Sequence, residues 1–433
     1  MSELQTDGIR PPQRDIMAAR LLLLTTAALC TACSADRAAP TPSPASNTHA
    51  RAYDPAIGTY VAFLEKPLAA PVDYIMGLFD QYDVVVICER DHRDVTQYEL
   101  FLDLVKDPRF AQNVGHVFTE LGSSSLQDYV EDFLQTTGLS AEEVKARALH
   151  IYRNFSPFLW EKTNFFEFLQ QIYDVNRKLP AESRVHLYPS DVPFDWATMT
   201  AALWQEFQRT LDRRDRIIAD QVINRFSSIR ASGKKRRKAL VIMNYRHAFA
   251  PIAFRDDEDS GDNVGRYLFE AFPGQVANVL LNRDRPLAAA SDHVDVETLI
   301  QGGKWDASFR VEGDPNVGFD LRGSPFGLDA FDMFPYRPTD AKYQDVFHGF
   351  VFWRPLSQHR CKRGIPGLFD DGFEAVYFAR QRDFLGKDAS TAERTEFAAI
   401  LSTVREWPCA DSRPGDPEWP DGTPNEQIDR WLH

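Results

Sequence analysis

Short apolar runs alternate with longer segments of helical periodicity from about residue 54 onward, and this alternation restricts the possible folds more than any other feature of the chain. It is typical of α/β domains with a largely parallel sheet, because parallel neighbours are joined by crossover helices. Six runs are predicted as strands: Val84–Cys88, His116–Glu120, Val185–Tyr188, Ala239–Met243, Val276–Leu281 and Gly349–Trp353. With no internal repeat and no second core pattern, the sequence predicts a single α/β domain, a largely parallel central sheet flanked by helices, over residues 54–411.

The segments between these runs carry the amphipathic pattern of helices. They are predicted at Thr96–Lys106, Leu126–Gln135, Asn164–Asn176 and about 198–230. After about residue 412, prolines and acidic residues replace the apolar pattern. We therefore predict a poorly ordered tail over residues 412–433.

Four of the predicted strands run into polar or ionisable residues. The first leads to Glu89 and His92, the second to Glu120, the third to Asp191, and the fourth to Asn244 and His247. In open parallel sheets, sites form beyond the carboxyl ends of the strands. The sequence therefore predicts that these side chains share one crevice.

Two imidazoles with two or three carboxylates support two kinds of chemistry. They suit a general base that activates water, and they also form a plausible first shell for a divalent metal ion. No HExxH, no Gly-rich phosphate loop and no GxSxG elbow is present, and the one CxxC, Cys30–Cys33, lies at the predicted lipidation site. Structural roles are alternatives: His92 as a helix cap, Glu120 as a partner of Arg153, His247 in the core and Asp191 in a turn.

The N-terminus has the layout of an export signal. Arg14 and Arg20 precede the apolar run Leu21–Leu29, which is too short for a permanent membrane span. Small residues then lead to Cys33, as in bacterial lipoprotein signals, and Ser34 resembles the pattern sorted to the outer membrane. We predict a signal peptide over residues 1–32, lipidation of Cys33 and a flexible tether over residues 33–53, with an ordinary cleaved signal as the alternative. The protein would then be an outer-membrane lipoprotein facing the periplasm or the cell surface.

The net charge limits the possible binding partners, and the cysteines indicate a possible disulfide. A net charge of −14 argues against nucleic-acid binding. The one basic run, residues 234–238, suits a solvated loop or contact with anionic lipid headgroups. An oxidising compartment permits a disulfide between Cys361 and Cys409, with Cys88 as a buried thiol.

Several segments together resemble the erythromycin esterase family, within a wider group that includes ChaN-like haem-binding lipoproteins and Tiki-type proteins. The turn from Glu89 to His92 resembles the family's Gly-Glu-x-x-His motif, with Cys88 in place of the glycine, and Glu120 matches its second glutamate. Further similar segments are Asn164–Leu169, Arg214–Asp220, Asn244–His247 and Val264–Leu268. Their order holds from about residue 70 to 355, although Asn244 stands where the family carries a histidine.

The resemblance implies water-mediated hydrolysis of an ester or similar bond in a small molecule. His92 would be the general base, Glu89 and Glu120 would orient it or bind substrate, and His247 would stabilise the developing oxyanion. Candidates for substrate binding or oxyanion stabilisation are Arg153, Arg246, Asn244 and Asp191.

The same resemblance leaves other functions open. We expect no cofactor, but a metal-dependent hydrolase of the Tiki type would use His92, Glu120 and His247 as ligands. A non-catalytic carrier of the ChaN type would hold haem or a metal, with His247 and Tyr245 able to ligate iron. An inactive scaffold with the same fold is the third possibility.

Overall fold

The computed structural model describes residues 52–156, 159, 162–251, 263–289, 295–333, 340–386, 388–410 and 419–433. The predicted signal peptide, Cys33 and nearly all of the predicted tether lie outside these residues, so export and lipid anchoring stay predictions. Within the described ranges, no helix is both long enough and apolar enough to cross a membrane.

The strands form one large sheet and two small ribbons. They are β1 Val84–Glu89, β2 His116–Ser123, β3 His186–Asp191, β4 Ala239–Asn244, β5 Val276–Leu281, β6 Asp284–Ala289, β7 Asp295–Leu299, β8 Val317–Asp320, β9 Gly349–Phe352, β10 Arg360–Arg363 and β11 Arg405–Pro408. The large sheet has seven strands in the order β3-β2-β4-β1-β5-β9-β8. All its neighbouring pairs are parallel except the β8–β9 pair at one edge. All six predicted strands belong to it, so the predicted fold class is confirmed.

Helices separate most of the strands. They are α1 Gly58–Leu64, α2 Pro71–Leu78, α3 Val95–Lys106, α4 Pro108–Asn113, α5 Gln127–Gln135, α6 Ala141–Asn154, α7 Asn164–Asn176, α8 Ala201–Thr210, α9 Arg214–Ala231, α10 Val264–Ala271, α11 Lys304–Val311, α12 Tyr343–Val346, α13 Asp371–Leu385, α14 Thr391–Ser402 and α15 Pro424–Asp429. Their crossovers bury both faces of the sheet, as parallel sheets require.

Strand β1 lies in the middle of the sheet and shows why its run is continuously apolar. Val85 and Ile87 pack into the core on one face, whereas Val86 and Cys88 pack into the core on the other. Cys88 is therefore a buried free thiol, as predicted, and burial raises its pKa. The strand carries Glu89 out of this double core to the edge where the sheet ends.

The long helix predicted over about residues 198–230 is wrong, because the structure has two helices there. A short 3-10 turn, Leu211–Arg213, separates α8 from α9. The two helices pack against different parts of the structure. Trp204 and Phe207 of α8 pack in a small separate cluster, whereas Val222 and Phe226 of α9 pack on the sheet. The break between them places the first residues of α9 at the carboxyl edge of the sheet.

The tail was predicted to be poorly ordered from residue 412, and its described part, residues 419–433, contradicts this. Helix α15 begins after the N-cap Thr423, whose capping box with Glu426 stabilises its first turn. Ile428 is buried in the main core, and the buried Gln427 bonds Thr298 and the amide of Leu299. Trp419, Trp431 and Leu432 pack against the same core, so a few apolar residues order a segment that its prolines and acidic residues predict to be poorly ordered.

Two ribbons lie outside the main sheet, β6 with β7 and β10 with β11. In the second, Cys361 of β10 is paired with Trp407 of β11. Cys361 and Cys409 form a disulfide with their Cα atoms 5.0 Å apart. The pairing that the sequence permits is therefore present, and it closes a loop between residues 48 positions apart.

Candidate functional site

An irregularity in β2 determines where Glu120 points. The pairing of β2 with β3 runs in register to Thr119 and shifts before Ser123, so Glu120 lies in a bulge. Gly122 has φ +96°, and a Cβ there would lie 2.8 Å from the Cβ of Pro189. Only glycine fits this position without strain. Bulges commonly redirect side chains beside functional sites, and this one places a buried carboxylate at the carboxyl edge of the sheet.

Glu120 is the best-satisfied buried acid at this edge. The backbone N–H of Asn244 donates to its Oε2 at 2.8 Å, and Arg214 Nη1 donates to its Oε1 at 3.1 Å. His247 Nε2 lies 3.4 Å from the same Oε1. Burial raises the pKa of Glu120, but His247 and Arg214 outweigh it and hold the pKa well below its usual 4.5. Glu120 is therefore an anion at neutral pH.

His247 lies between two carboxylates. Its Nδ1 is 2.8 Å from Asp215 Oδ2, and its Nε2 faces Glu120. Burial lowers its pKa, but Glu120 and Asp215 together raise it to about 10. His247 is an imidazolium at neutral pH, and its side chain is 20% exposed beside an almost fully buried acid. The charge that it brings to the site is permanent over the physiological range.

Glu89 and His92 form the second acid–imidazole pair. His92 Nδ1 lies 2.6 Å from Glu89 Oε2, and the buried Tyr98 hydroxyl of α3 also hydrogen-bonds Glu89. The carboxylate is 2% exposed and the imidazole 22%, so the base faces solvent and the acid faces the core. Burial lowers the pKa of His92, but Glu89 and then Glu120 raise it above its usual 6.5.

The two pairs meet because β1 and β4 are neighbours in register, with Glu89 opposite Asn244. One ligand atom each from Glu89, His92 and Glu120 lies within 4.8 Å of the other two. With His247 in contact with Glu120, the structure brings together four of the six residues that the sequence places at strand ends. The predicted convergence of these side chains is thus observed, as a contiguous cluster.

Asp191 also joins this cluster, through Arg214. Its two carboxylate oxygens accept from Arg214 Nε and Nη2, both at 2.9 Å. The same guanidinium donates to Glu120, and burial, which lowers the pKa of Arg214, is outweighed by the two acids. Arg214 therefore ties the end of β3 to the bulge of β2.

The other predicted residues have different roles. The Asn244 side chain accepts from the amide of Arg246, which caps the turn that presents His247. Arg246 is exposed, with its guanidinium carbon 5.9 Å from the centre of the Tyr245 ring. Neither arrangement assigns these two side chains to substrate.

Arg153 was predicted to bind or stabilise an anion in the site, and the structure contradicts this. It lies in the last turn of α6 and donates to the carbonyls of Gly367 and Leu368. It also pairs with Asp370 at 2.7 Å and covers the Phe373 ring. Through these contacts the Arg153 guanidinium holds the segment of residues 367–370 against the end of α6. The alternative pairing of Arg153 with Glu120 is wrong as well, since Arg214 takes that place.

Arg214 and Asp215 are the functional residues that the sequence reasoning did not select. Both begin α9, and they lie in the segment Arg214–Asp220 that resembles a family motif. The prediction considered only residues at the ends of strands, and these two residues lie at the start of a helix. The motif itself was the signal that would have found them.

The cluster fits a divalent cation only in part. Glu89, His92 and Glu120 are a suitable donor set, and the charge of Glu89 would attract a metal. Both oxygens of Glu120, however, already accept from Asn244, Arg214 and His247. A cation bound there would also lie beside the positive charges of Arg214 and His247, which oppose its binding.

Similar solved structures include an open conformation of a mutant of the erythromycin esterase EreC, with TM-score 0.43 and 11% identity over 66% of this chain and 96% of that one. A succinoglycan biosynthesis protein has TM-score 0.40 and 10% identity over 66% and 90% of the two chains. ChaN of Campylobacter jejuni with cofacial haem has TM-score 0.29 and 15% identity over 48% and 84%. No protein-family model and no curated protein matches the chain. These similarities have low identity and low TM-scores, and they assign the chain neither a family nor the role of any residue.

Replacing Arg214 tests whether its two carboxylate partners depend on it. We expect Arg214→Met to lower the free energy of unfolding by about 2 kcal/mol, because two mostly buried acids lose their cation. The exposed neighbour Arg213 is the matched control, and Arg213→Met should stay within about 0.5 kcal/mol of the wild type. Urea denaturation measures both, and equal effects from the two substitutions would contradict the assignment.

Proposed function

We propose that the protein hydrolyses an ester or a similar bond in a small molecule, with His92 as the general base. The main support for this proposal is the 2.6 Å contact between Glu89 Oε2 and His92 Nδ1. The carboxylate is buried, and the imidazole lies at the surface of the cluster. A buried acid that holds Nδ1 fixes the tautomer and the ring orientation of a catalytic histidine. The other ring nitrogen, Nε2, is then the one that accepts and returns the proton.

The reaction follows from this arrangement. A water molecule attacks the carbonyl carbon while His92 Nε2 takes one of its protons. The imidazolium that forms is stabilised by Glu89 in contact and by Glu120, whose atoms complete the 4.8 Å group. When the tetrahedral intermediate collapses, His92 returns the proton to the leaving alkoxide oxygen. The products are a carboxylic acid and an alcohol.

His247 and Arg214 supply the positive charge that the site needs for an anionic intermediate. Both are partly exposed, at 20% and 25% of their side chains, beside the buried Glu120. Both nitrogens of His247 face carboxylates, so it acts through its charge and holds Glu120 in place. Fixed charges of this kind need no reorganisation during the reaction.

One observation favours a second version of the same function. The donor set of Glu89, His92 and Glu120 would suit a metal ion that polarises the carbonyl oxygen. The metal-free version has the stronger support, because two cationic side chains, Arg214 and His247, already lie against Glu120. Activity that persists in a chelator supports the metal-free reaction, whereas loss with recovery on zinc or manganese supports the other.

Haem ligation by His247 and Tyr245 has no geometric support. Tyr245 is buried, and the Arg283 guanidinium lies 3.7 Å above its ring centre. His247 would have to leave Asp215 or Glu120 to expose a nitrogen to iron. We therefore do not propose a haem carrier built on this pair.

Removing the proposed base tests the function most simply. We expect His92→Ala to reduce hydrolysis of chromogenic esters by about 100- to 10,000-fold, the usual contribution of a positioned base. His150→Ala is the matched control, because His150 is exposed on α6 and stacks on the ring of Tyr129, away from the cluster. Initial rates over a panel of p-nitrophenyl esters measure both. Unchanged rates in His92→Ala would exclude His92 as the base.

The pH dependence follows from the pKa of His92. Only the neutral imidazole accepts a proton, so kcat/KM should rise with pH as His92 loses its proton. Because the pKa of His92 is raised above 6.5, the midpoint of this rise should lie above pH 6.5. Glu89→Gln removes the largest contribution that raises this pKa, so the midpoint should move to lower pH as the rate falls. Glu142→Gln, an exposed change on α6, should leave the profile as it is. A rate that falls as pH rises through this range would contradict the mechanism.

A further inference from the structure

The ribbon of β10 and β11 lies directly against the turn that carries His92. The N–H of Lys362 donates to the carbonyl of Arg93 at 2.9 Å, one residue after His92. The N–H of Arg360 donates to Thr96 Oγ1, also at 2.9 Å, and Cys361 forms an isolated bridge with Asp94. Strand β10 therefore extends the hydrogen bonding of the turn on its outer side.

Buried side chains strengthen the same attachment. Arg90 Nη1 lies 2.8 Å from His359 Nε2, and Arg90 Nε lies 2.8 Å from Asp94 Oδ2. All three residues are at most 4% exposed. His359 comes just before β10, and its carbonyl accepts from the N–H of Cys409 at 2.8 Å. Both ends of the His92 turn are thus joined to the start of the ribbon.

The disulfide holds the ribbon together at this point. Its two strands are only four residues long, from Arg360 to Arg363 and from Arg405 to Pro408. An isolated pair of strands this short is marginal in water. Cys361 lies in the middle of the contact with the turn, and Cys409 follows β11 and bonds His359. The cross-link therefore joins Cys361, which contacts the turn at Asp94, to Cys409, which bonds the backbone of His359.

We infer that the disulfide-closed ribbon positions His92, so that the site works at full rate only while Cys361 and Cys409 are bonded. This rests on the proposed function. Cys361, Cys409 and Thr96 are positioning residues, since they act on His92 through the backbone of residues 93–96. Without the ribbon the turn keeps the Gln97 contacts, from the amide of Arg90 and to the carbonyl of Asp91, both at 2.6 Å. The turn also keeps its internal bonds, from the amide of Asp94 to the carbonyl of Asp91 and from the amide of Thr96 to Asp94 Oδ1, but it loses the bonds of Arg93 and Thr96 to β10.

The expected effect is on the chemical step. A small displacement of a base costs up to about 100-fold in rate, so we expect loss of the disulfide to lower kcat about tenfold or more with little change in KM. The test compares the full chain, oxidised and reduced, with the double variant Cys361→Ser, Cys409→Ser. Reductant should slow the wild type and leave the double variant unaffected. Far-UV circular dichroism checks that the domain stays folded.

A second pair of variants leaves the disulfide intact. Thr96→Val keeps the side-chain volume but removes the acceptor for the N–H of Arg360, together with the side-chain hydrogen bond between Thr96 and Asp94. Thr96→Ser keeps that acceptor and is the matched control. We expect Thr96→Val to lower kcat by about tenfold and Thr96→Ser to retain the wild-type value. This pair decides the question if the double variant does not fold.

The imidazole signals of His92 give a readout that needs no substrate. Assigned by comparison with His92→Gln in ¹⁵N NMR spectra, they should shift on reduction and in Thr96→Val, and stay in place in Thr96→Ser. Unchanged signals and unchanged kcat in both the reduced protein and Thr96→Val would overturn the proposal. Shifted signals in a protein that hydrolyses no ester would support the positioning and refute the proposed function.

Discussion

The burial of one carboxylate, Glu120, is the constraint on which the site depends. A buried anion is tolerated only when donors and cations replace the water that it loses. Here an amide of β4, a guanidinium from the start of α9 and an imidazolium from the turn after β4 supply them. The bulge of β2 aims the acid at all three. Strands β2 and β4, the turn that follows β4 and the start of α9 are therefore joined through one side chain.

The two acid–imidazole pairs share one design and differ in charge. In each pair the acid faces the core and the imidazole reaches solvent. His247 has two carboxylates, which hold it protonated, whereas His92 has one in contact and a second nearby. One imidazole is thus a fixed cation and the other can exchange a proton. That difference lets a single cluster provide both a base and a stabilising charge.

The sequence predicts the sheet and most of the site because both follow one pattern. The apolar runs of β1, β2, β3 and β4 end in Glu89, Glu120, Asp191 and Asn244, and parallel strands place their ends at one edge. Arg214 and Asp215 escape this logic, since their position depends on the break between α8 and α9. Arg153, by contrast, is predicted in the site but lies outside it. Its positive charge could stabilise an anion, but backbone carbonyls and Asp370 bind its guanidinium elsewhere. The short strands β10 and β11 have too little pattern to predict, although the disulfide was foreseen as a pairing that the compartment permits.

The protonation state of His247 tests the central claim most directly. The account requires a permanent imidazolium between Glu120 and Asp215, which neutralises the buried acid and leaves His92 as the only exchangeable base of the cluster. ¹⁵N NMR of the His247 ring, assigned with His247→Gln, measures this as pH is raised. The account predicts that both ring nitrogens stay protonated through neutral pH, with a midpoint near pH 10. Titration near the usual 6.5 would mean that Glu120 does not hold a charged partner, and the account of the site would then be wrong.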